Sequence, residues 1–209
     1  MTRKVLDKKE LIQKFRTEGI LDAARRVIAL RGLEKATMEQ VAEEAGISKA
    51  TIYLYFKNKD ALYYHCVMDR FEEMMDAMKS AIEGMDDPVE KIKTLVTVQL
   101  REMEADKEFF KVFFTERLGV FLDQSSEFGA EFTKRHDEFT GFMAGILKDG
   151  MDRGLIRKVD PVKGFSLLFS MVRGMAMCKI FCADTTPLSS DSGLILGVFL
   201  DGLRAGKNA

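Results

Sequence analysis

The stretch Thr37–Leu62, TMEQVAEEAGISKATIYLYFKNKDAL, leaves few folds open to this chain. Thr37, with Gln40 three positions on, forms a capping-box pattern, so a helix begins there. Val41, Ala42 and Ala45 recur at helical spacing and give that helix one apolar face. Gly46 follows at once, a residue able to take the left-handed conformation that closes a helix. Ser48 restarts the chain as the next N-cap. In the second helix Ile47, Ile52 and Phe56 share the inner side. Lys49, Ala50 and Tyr53 lie together opposite, because positions three and four apart are neighbours. Asn58 caps a third, longer helix opened by Lys59 and Asp60. Short helix, glycine turn, short helix is the helix-turn-helix arrangement, whose second helix enters a DNA major groove.

The outer face of the second helix suits DNA chemically. Lys49 can neutralise a phosphate or reach a base edge, and Ala50 is small enough for close backbone approach. Thr51 can donate to a phosphate or touch a thymine methyl, and Tyr53 and Tyr55 offer hydroxyls to phosphates. Thr37, Ser48 and Lys59, at the starts of the three helices, complete the candidate DNA-binding set. The alternative is an ordinary helical hairpin with Tyr53 and Tyr55 in a core, since the shape recurs without DNA.

Residues from about Ile20 to Leu62 resemble the DNA-binding domain of the TetR family of bacterial transcriptional regulators. The resemblance is carried by Ile20, Ala23, Ala24 and Gly32, then Thr37, Val41, Ala42, Ala45, Gly46, Ile47 and Ser48. It continues through Tyr53, Tyr55, Phe56, Lys59 and Leu62, in order and at the family's spacing. Two positions depart from the pattern: Ala50 stands where the family usually has Gly, and Ile28 where an aromatic is common. The resemblance implies an all-α fold of about nine helices. A three-helix DNA-binding head over residues 1–60 precedes a larger ligand-binding and dimerisation body over 61–209. It also implies a double-stranded DNA operator, a small-molecule effector, a homodimer and a cytoplasmic setting, with repression the family's common habit.

Composition agrees with a helical regulator and removes several other classes. The 209 residues are 46% apolar and 31% charged, ordinary proportions for a globular chain. No uninterrupted run of about eighteen apolar residues occurs, so no membrane span is expected. The formal net charge of −1 is unevenly spread: residues 1–64 hold 13 Lys and Arg against 9 Asp and Glu. Arg3, Lys4, Lys8 and Lys9 are either a basic arm toward phosphates or a minor groove, or a solvated tail. Only two histidines, His65 and His136, occur, too few for a His-rich metal site. No Gly-rich phosphate loop or nucleophile elbow is present, so no catalytic residue, metal or cofactor is expected. Cys66, Cys178 and Cys182 follow no disulfide framework, which fits a reducing compartment. Cys178 and Cys182, one helical turn apart, admit a redox-sensing alternative, though a pair of small apolar residues is simpler.

The remainder reads as helices throughout. Asp87-Pro88 and Asp160-Pro161 each set a cap residue before a first-turn proline. The expected helices run over 58–83, 88–104, 107–122, from after Ser126 to about Arg153, over 161–182, and over 190–205. Gly84 and Gly154 serve as stops. Phenylalanine and methionine crowd this region, and core packing accounts for any single one of them. In such number they also suit an adaptable apolar pocket. The resemblance places an effector pocket here, and the candidate ligand-binding residues are Phe110, Phe113, Phe114, Arg117, Phe132, Phe139, Met143, Phe169, Arg173 and Met177. It also implies dimerisation through the last two helices, with Phe165, Leu168, Leu194, Gly197, Val198 and Asp201 as interface candidates. The phenylalanine- and methionine-rich body points to an apolar or amphipathic ligand.

Overall fold

A computed structural model describes residues 8–117, 123, 125–182 and 185–203, apart from the side chains of Lys9, Glu116, Arg117 and Leu203. Arg3 and Lys4 of the expected basic arm lie outside the described residues, as does the 118–122 end of the helix expected over 107–122. Among the described residues there are nine α-helices and no strand. They are α1 (Lys8–Arg31), α2 (Met38–Glu44), α3 (Lys49–Tyr55), α4 (Lys59–Ala81), α5 (Pro88–Ala105), α6 (Lys107–Val112), α7 (Glu127–Asp152), α8 (Pro161–Phe181) and α9 (Ser192–Leu203). A π-helical turn, Phe113–Arg117, follows α6 where continuous α-helix was expected, and a 3-10 turn, Leu188–Asp191, leads into α9.

Contacts divide the chain into two compact units. The first reaches Phe71 and takes in Val112–Arg117, and the second holds Glu72–Lys111 and the described residues after Arg117. The division falls inside α4 rather than at residue 60, because one continuous helix supplies side chains to both units. In the first unit α1 packs on α2, and α2 on α3. Ile20, Ala23, Ala24, Val27 and Ile28 of α1 meet a core that includes Val41, Ala42, Ile52, Phe56 and Leu62, all buried. Ile28 is buried, so the smaller residue at that position still fills the core.

In the second unit α7 packs on α8, and α5 contacts α7, α8, α9 and the 3-10 turn. Local chemistry sets the helix ends. Asp87 caps α5 by accepting from the Val89 amide at 2.7 Å, and Asp160 caps α8 by accepting from the Lys163 amide at 2.9 Å. Ser126 caps α7 through the Gly129 amide at 2.9 Å. Gly154, at φ +71°, ends α7, while Arg153 holds Asp86 through two hydrogen bonds of 2.8 and 3.1 Å. That guanidinium keeps the Asp86 carboxyl below its usual range.

Helix α8 is apolar and long enough to cross a membrane by length and composition. It carries three cations, and Lys179 among them is buried. The Lys179 ammonium donates to Thr186 Oγ1 at 2.9 Å, the Pro187 carbonyl at 3.0 Å and Ser190 Oγ at 2.7 Å. Asp191 Oδ2 lies 3.0 Å away and supplies the opposite charge. This cluster ties the end of α8 to the 3-10 turn.

Candidate nucleic-acid interface

The helix pair is shaped by its caps. Thr37 Oγ1 accepts from the Gln40 amide at 3.3 Å, while the Thr37 amide donates to Gln40 Oε1 at 3.1 Å, closing the expected capping box. Gly46 takes φ +68°. The Ile47 amide then donates to the Ala42 carbonyl at 2.9 Å and the Gly46 amide to the Glu43 carbonyl at 3.0 Å, satisfying carbonyls that the helix end leaves open. Ser48 Oγ accepts from the Thr51 amide at 3.0 Å and starts α3. Thr37 and Ser48 therefore spend their side-chain oxygens on the backbone first, although both residues are exposed.

Helix α3 shows a mixed outer face. Lys49, Ala50 and Tyr53 are exposed, Ile52 is fully buried, and Thr51 and Tyr55 are half-buried. Thr51 Oγ1 lies 2.8 Å from Ser48 Oγ, so its hydroxyl is engaged beside the cap. Tyr55 turns partly inward because it sits three positions from Ile52, on the side that meets the core. Leu54, absent from the sequence-based set, is 84% exposed on the outer face. Its signal was available: Leu54 is four residues from Ala50 and therefore its neighbour on a helix surface.

Two lysines behave differently from expectation. Lys59 points inward: its ammonium donates to the carbonyls of Leu33 at 2.9 Å and Glu34 at 3.0 Å. It clamps the start of α4 to the turn after α1, so the ammonium is engaged with backbone. A cation near the start of a helix reads from sequence as a phosphate ligand, because the carbonyls that take it are 26 and 25 residues away in the chain. Lys49 is exposed but forms an ion pair with Glu39 of α2. Hydrogen bonding to Lys49 holds the Glu39 carboxyl below its usual range, and the same bond raises the Lys49 ammonium. Glu44 of the same helix accepts from Arg26 at 2.7 Å, so acidic groups of α2 offset part of the local positive charge.

The described effector candidates fall into both units. Phe113 and Phe114 belong to the first unit, with ring centroids 5.1 Å apart. The Arg117 side chain lies outside the described residues. Within the second unit Phe139 and Met143 are core, and Phe139 stands edge-on to Phe165 at 5.3 Å. Phe110, Phe132, Phe169 and Met177 are half-buried, and the exposed Arg173 guanidinium lies 6.0 Å from the centre of the Phe169 ring. Phe139 and Phe169 lie 6.5 Å apart, so α7 and α8 share one aromatic cluster.

Two of the interface candidates are corrected by the structure. Phe165 and Leu168 are 3% and 2% exposed, sealed within the second unit rather than available to a partner. Helix α8 is apolar on most sides, so spacing alone gave no inward direction; packing on α7 chose the side with Phe165, Leu168, Val172 and Ala176. Its outward side carries Val162, Leu167 and Phe181, which the sequence reading missed. Leu194, Gly197, Val198 and Asp201 of α9 are exposed. Gly197 and Asp201 also line a groove of about 550 Å³ with Val89, Lys93, Leu155, Ile156, Leu196 and Leu200.

A capped, glycine-turned helix pair with an exposed second helix has the form of a helix-turn-helix DNA-binding motif. A profile of bacterial regulatory proteins, tetR family, matches residues 20–66, the segment that builds this pair. Residues 20–66 thus carry the TetR-family domain, and the chain is a sequence-specific DNA-binding transcriptional regulator. It is similar to the fatty acid metabolism regulator protein of Bacillus subtilis, with 26% identity over 187 residues, 88% of this chain and 94% of that protein. It is also similar to the transcriptional regulator TtgR of Pseudomonas putida, 27% identical over 206 residues and 94% of each chain. Among solved structures, FadR of Bacillus subtilis in complex with stearoyl-CoA superposes with a TM-score of 0.77 at 23% identity. That match covers 90% of this chain and 99% of FadR.

Proposed function

We propose that this protein is a cytoplasmic, dimeric repressor whose two heads bind a palindromic operator and leave it when an amphipathic small molecule occupies the body. The observation that carries the DNA half is the presentation of Lys49, Ala50 and Tyr53 on the exposed face of a doubly capped α3. One such helix reads only a few base pairs, and two related by symmetry read a palindrome. The exposed apolar residues of α9, Leu194 and Val198, with Leu167 and Phe181 of α8, support burial against a second copy.

The ligand half rests on the half-buried Phe110, Phe132, Phe169 and Met177, with the buried Phe139 beside the Phe169 ring. Arg173, exposed beside the Phe169 ring, suits the anionic head of a chain whose tail lies on aromatic surface. Similar proteins point the same way, since one is a regulator of fatty acid metabolism and one was solved with stearoyl-CoA. Helix α4 supplies residues to both units and is the continuous element along which a ligand-dependent shift would pass. A ligand moves such an equilibrium only by binding the two states with different affinity.

The test begins with selection of bound sequences from a random duplex pool at fixed physiological salt. Enrichment of two inverted half-sites is expected. Stearoyl-CoA and a lipophilic cation are then titrated into the protein–operator complex while fluorescence anisotropy reports release. Release by the acyl thioester alone is expected; unchanged operator affinity with every amphipath would end the ligand-released reading.

A further inference from the structure

Helix α3 has seven residues, and its outward face is correspondingly small: Lys49, Ala50, Tyr53 and Leu54 are exposed on it. Lys49 is paired with Glu39, and Tyr53 keeps a polar hydroxyl. Leu54 is the most exposed large apolar residue among the described residues, and its side chain has no atom that can hydrogen-bond. Exposed leucines are common on protein surfaces, and Leu30 on α1 is nearly as exposed, so exposure alone decides nothing. The setting decides it. Leu54 stands one turn beyond Ala50, on the face that carries the proposed DNA contacts.

The base edges in a major groove are hydrogen-bond donors and acceptors with one apolar exception, the 5-methyl group of thymine. A leucine pressed against donors and acceptors would strip their water and return no hydrogen bond, which is unfavourable. Against a thymine methyl the same side chain removes apolar surface from water at no such loss. Ala50 adds a second methyl-sized apolar surface beside it and no bulk to hold the helix away.

We propose that Leu54, with Ala50 beside it, reads the 5-methyl group of a thymine in each half-site and is a specificity-determining residue. The proposal rests on the reading of α3 as the helix that enters the groove.

The experiment uses the operator obtained by selection. Each thymine is replaced in turn by deoxyuridine, symmetrically in both half-sites, which removes the methyl and leaves base pairing intact. Affinities are measured for the full-length protein, for Leu54→Ala, and for Leu30→Ala as a control on the exposed α1 leucine. One thymine position is expected at which deoxyuridine weakens the unaltered protein and Leu30→Ala by about fourfold per half-site, the worth of one buried methyl. Leu54→Ala is expected to bind the thymine and deoxyuridine duplexes alike. Equal sensitivity of Leu54→Ala and the unaltered protein would overturn the proposal, as would insensitivity to deoxyuridine at every position. A Leu54→Ala variant that binds more weakly with no thymine effect would place Leu54 on deoxyribose carbons, and would also overturn it. A selection that enriches no sequence is a different failure, because it removes the α3 reading itself.

Discussion

The Lys59 ammonium sits in part-buried surroundings and donates to the backbone carbonyls of Leu33 and Glu34 in the turn after α1. Hydrogen bonds with a charged donor contribute more than neutral ones, so Lys59→Met is expected to lower head stability by about 1–3 kcal/mol in denaturant unfolding. A variant as stable as the parent would return Lys59 to the pool of DNA contacts. Lys49 and Glu39 lead to a different expectation. Glu39 occupies the ammonium that a phosphate would otherwise take, and exposed pairs of this kind are weak enough to exchange partners. Glu39→Gln should therefore tighten binding to random duplex and steepen the plot of log affinity against log salt by about 0.9 per subunit, one further phosphate neutralised. An unchanged slope would show that Lys49 already leaves Glu39 on binding without cost.

At the scale of elements, two glycines of α7 have opposite reasons to be there. A Cβ at Gly129 would stand 2.0 Å from the Asp123 carbonyl oxygen, whereas one at Gly145 would meet nothing within 4 Å. Gly129→Ala is expected to destabilise the protein by about 1–3 kcal/mol through overpacking against backbone. Gly145→Ala, in an exposed helix interior, should stabilise it by about 0.5–1 kcal/mol. Thermal unfolding of the two variants gives shifts of opposite sign, and shifts of the same sign would contradict this account of α7. Lys179 joins α8 to the turn that launches α9, and its loss would leave Asp191, itself mostly buried, without a counter-charge. Lys179→Met is expected to cost about 3–5 kcal/mol, measured in urea, and a loss below about 1 kcal/mol would mean that water replaces the ammonium readily.

At the scale of the whole molecule, the proposed pairing of two heads rests on the exposed side of α9. Leu194→Glu with Val198→Glu sets charge on the proposed mutual face, and a monomer is expected in sedimentation velocity together with loss of operator binding. A dimer that survives both substitutions would move the interface elsewhere on the second unit. The helical class, the helix-turn-helix and the stops at Gly46, Gly84 and Gly154 were all readable in advance. Each depends on groups a few residues apart: a cap and its amide, a glycine and the turn before it, an apolar repeat of one helical period. The Asp-Pro starts of α5 and α8 are of the same local kind. Tertiary structure alone decided the inward turn of Lys59, the pairing of Lys49 with Glu39, the burial of Phe165 and Leu168, and the exposure of Leu54. Those outcomes depend on which of several equivalent helix faces finds a neighbour, and on carbonyls and carboxylates brought close from distant parts of the chain. A helix that is apolar all round carries no mark of which side will be covered, so only the packing of its neighbours chooses.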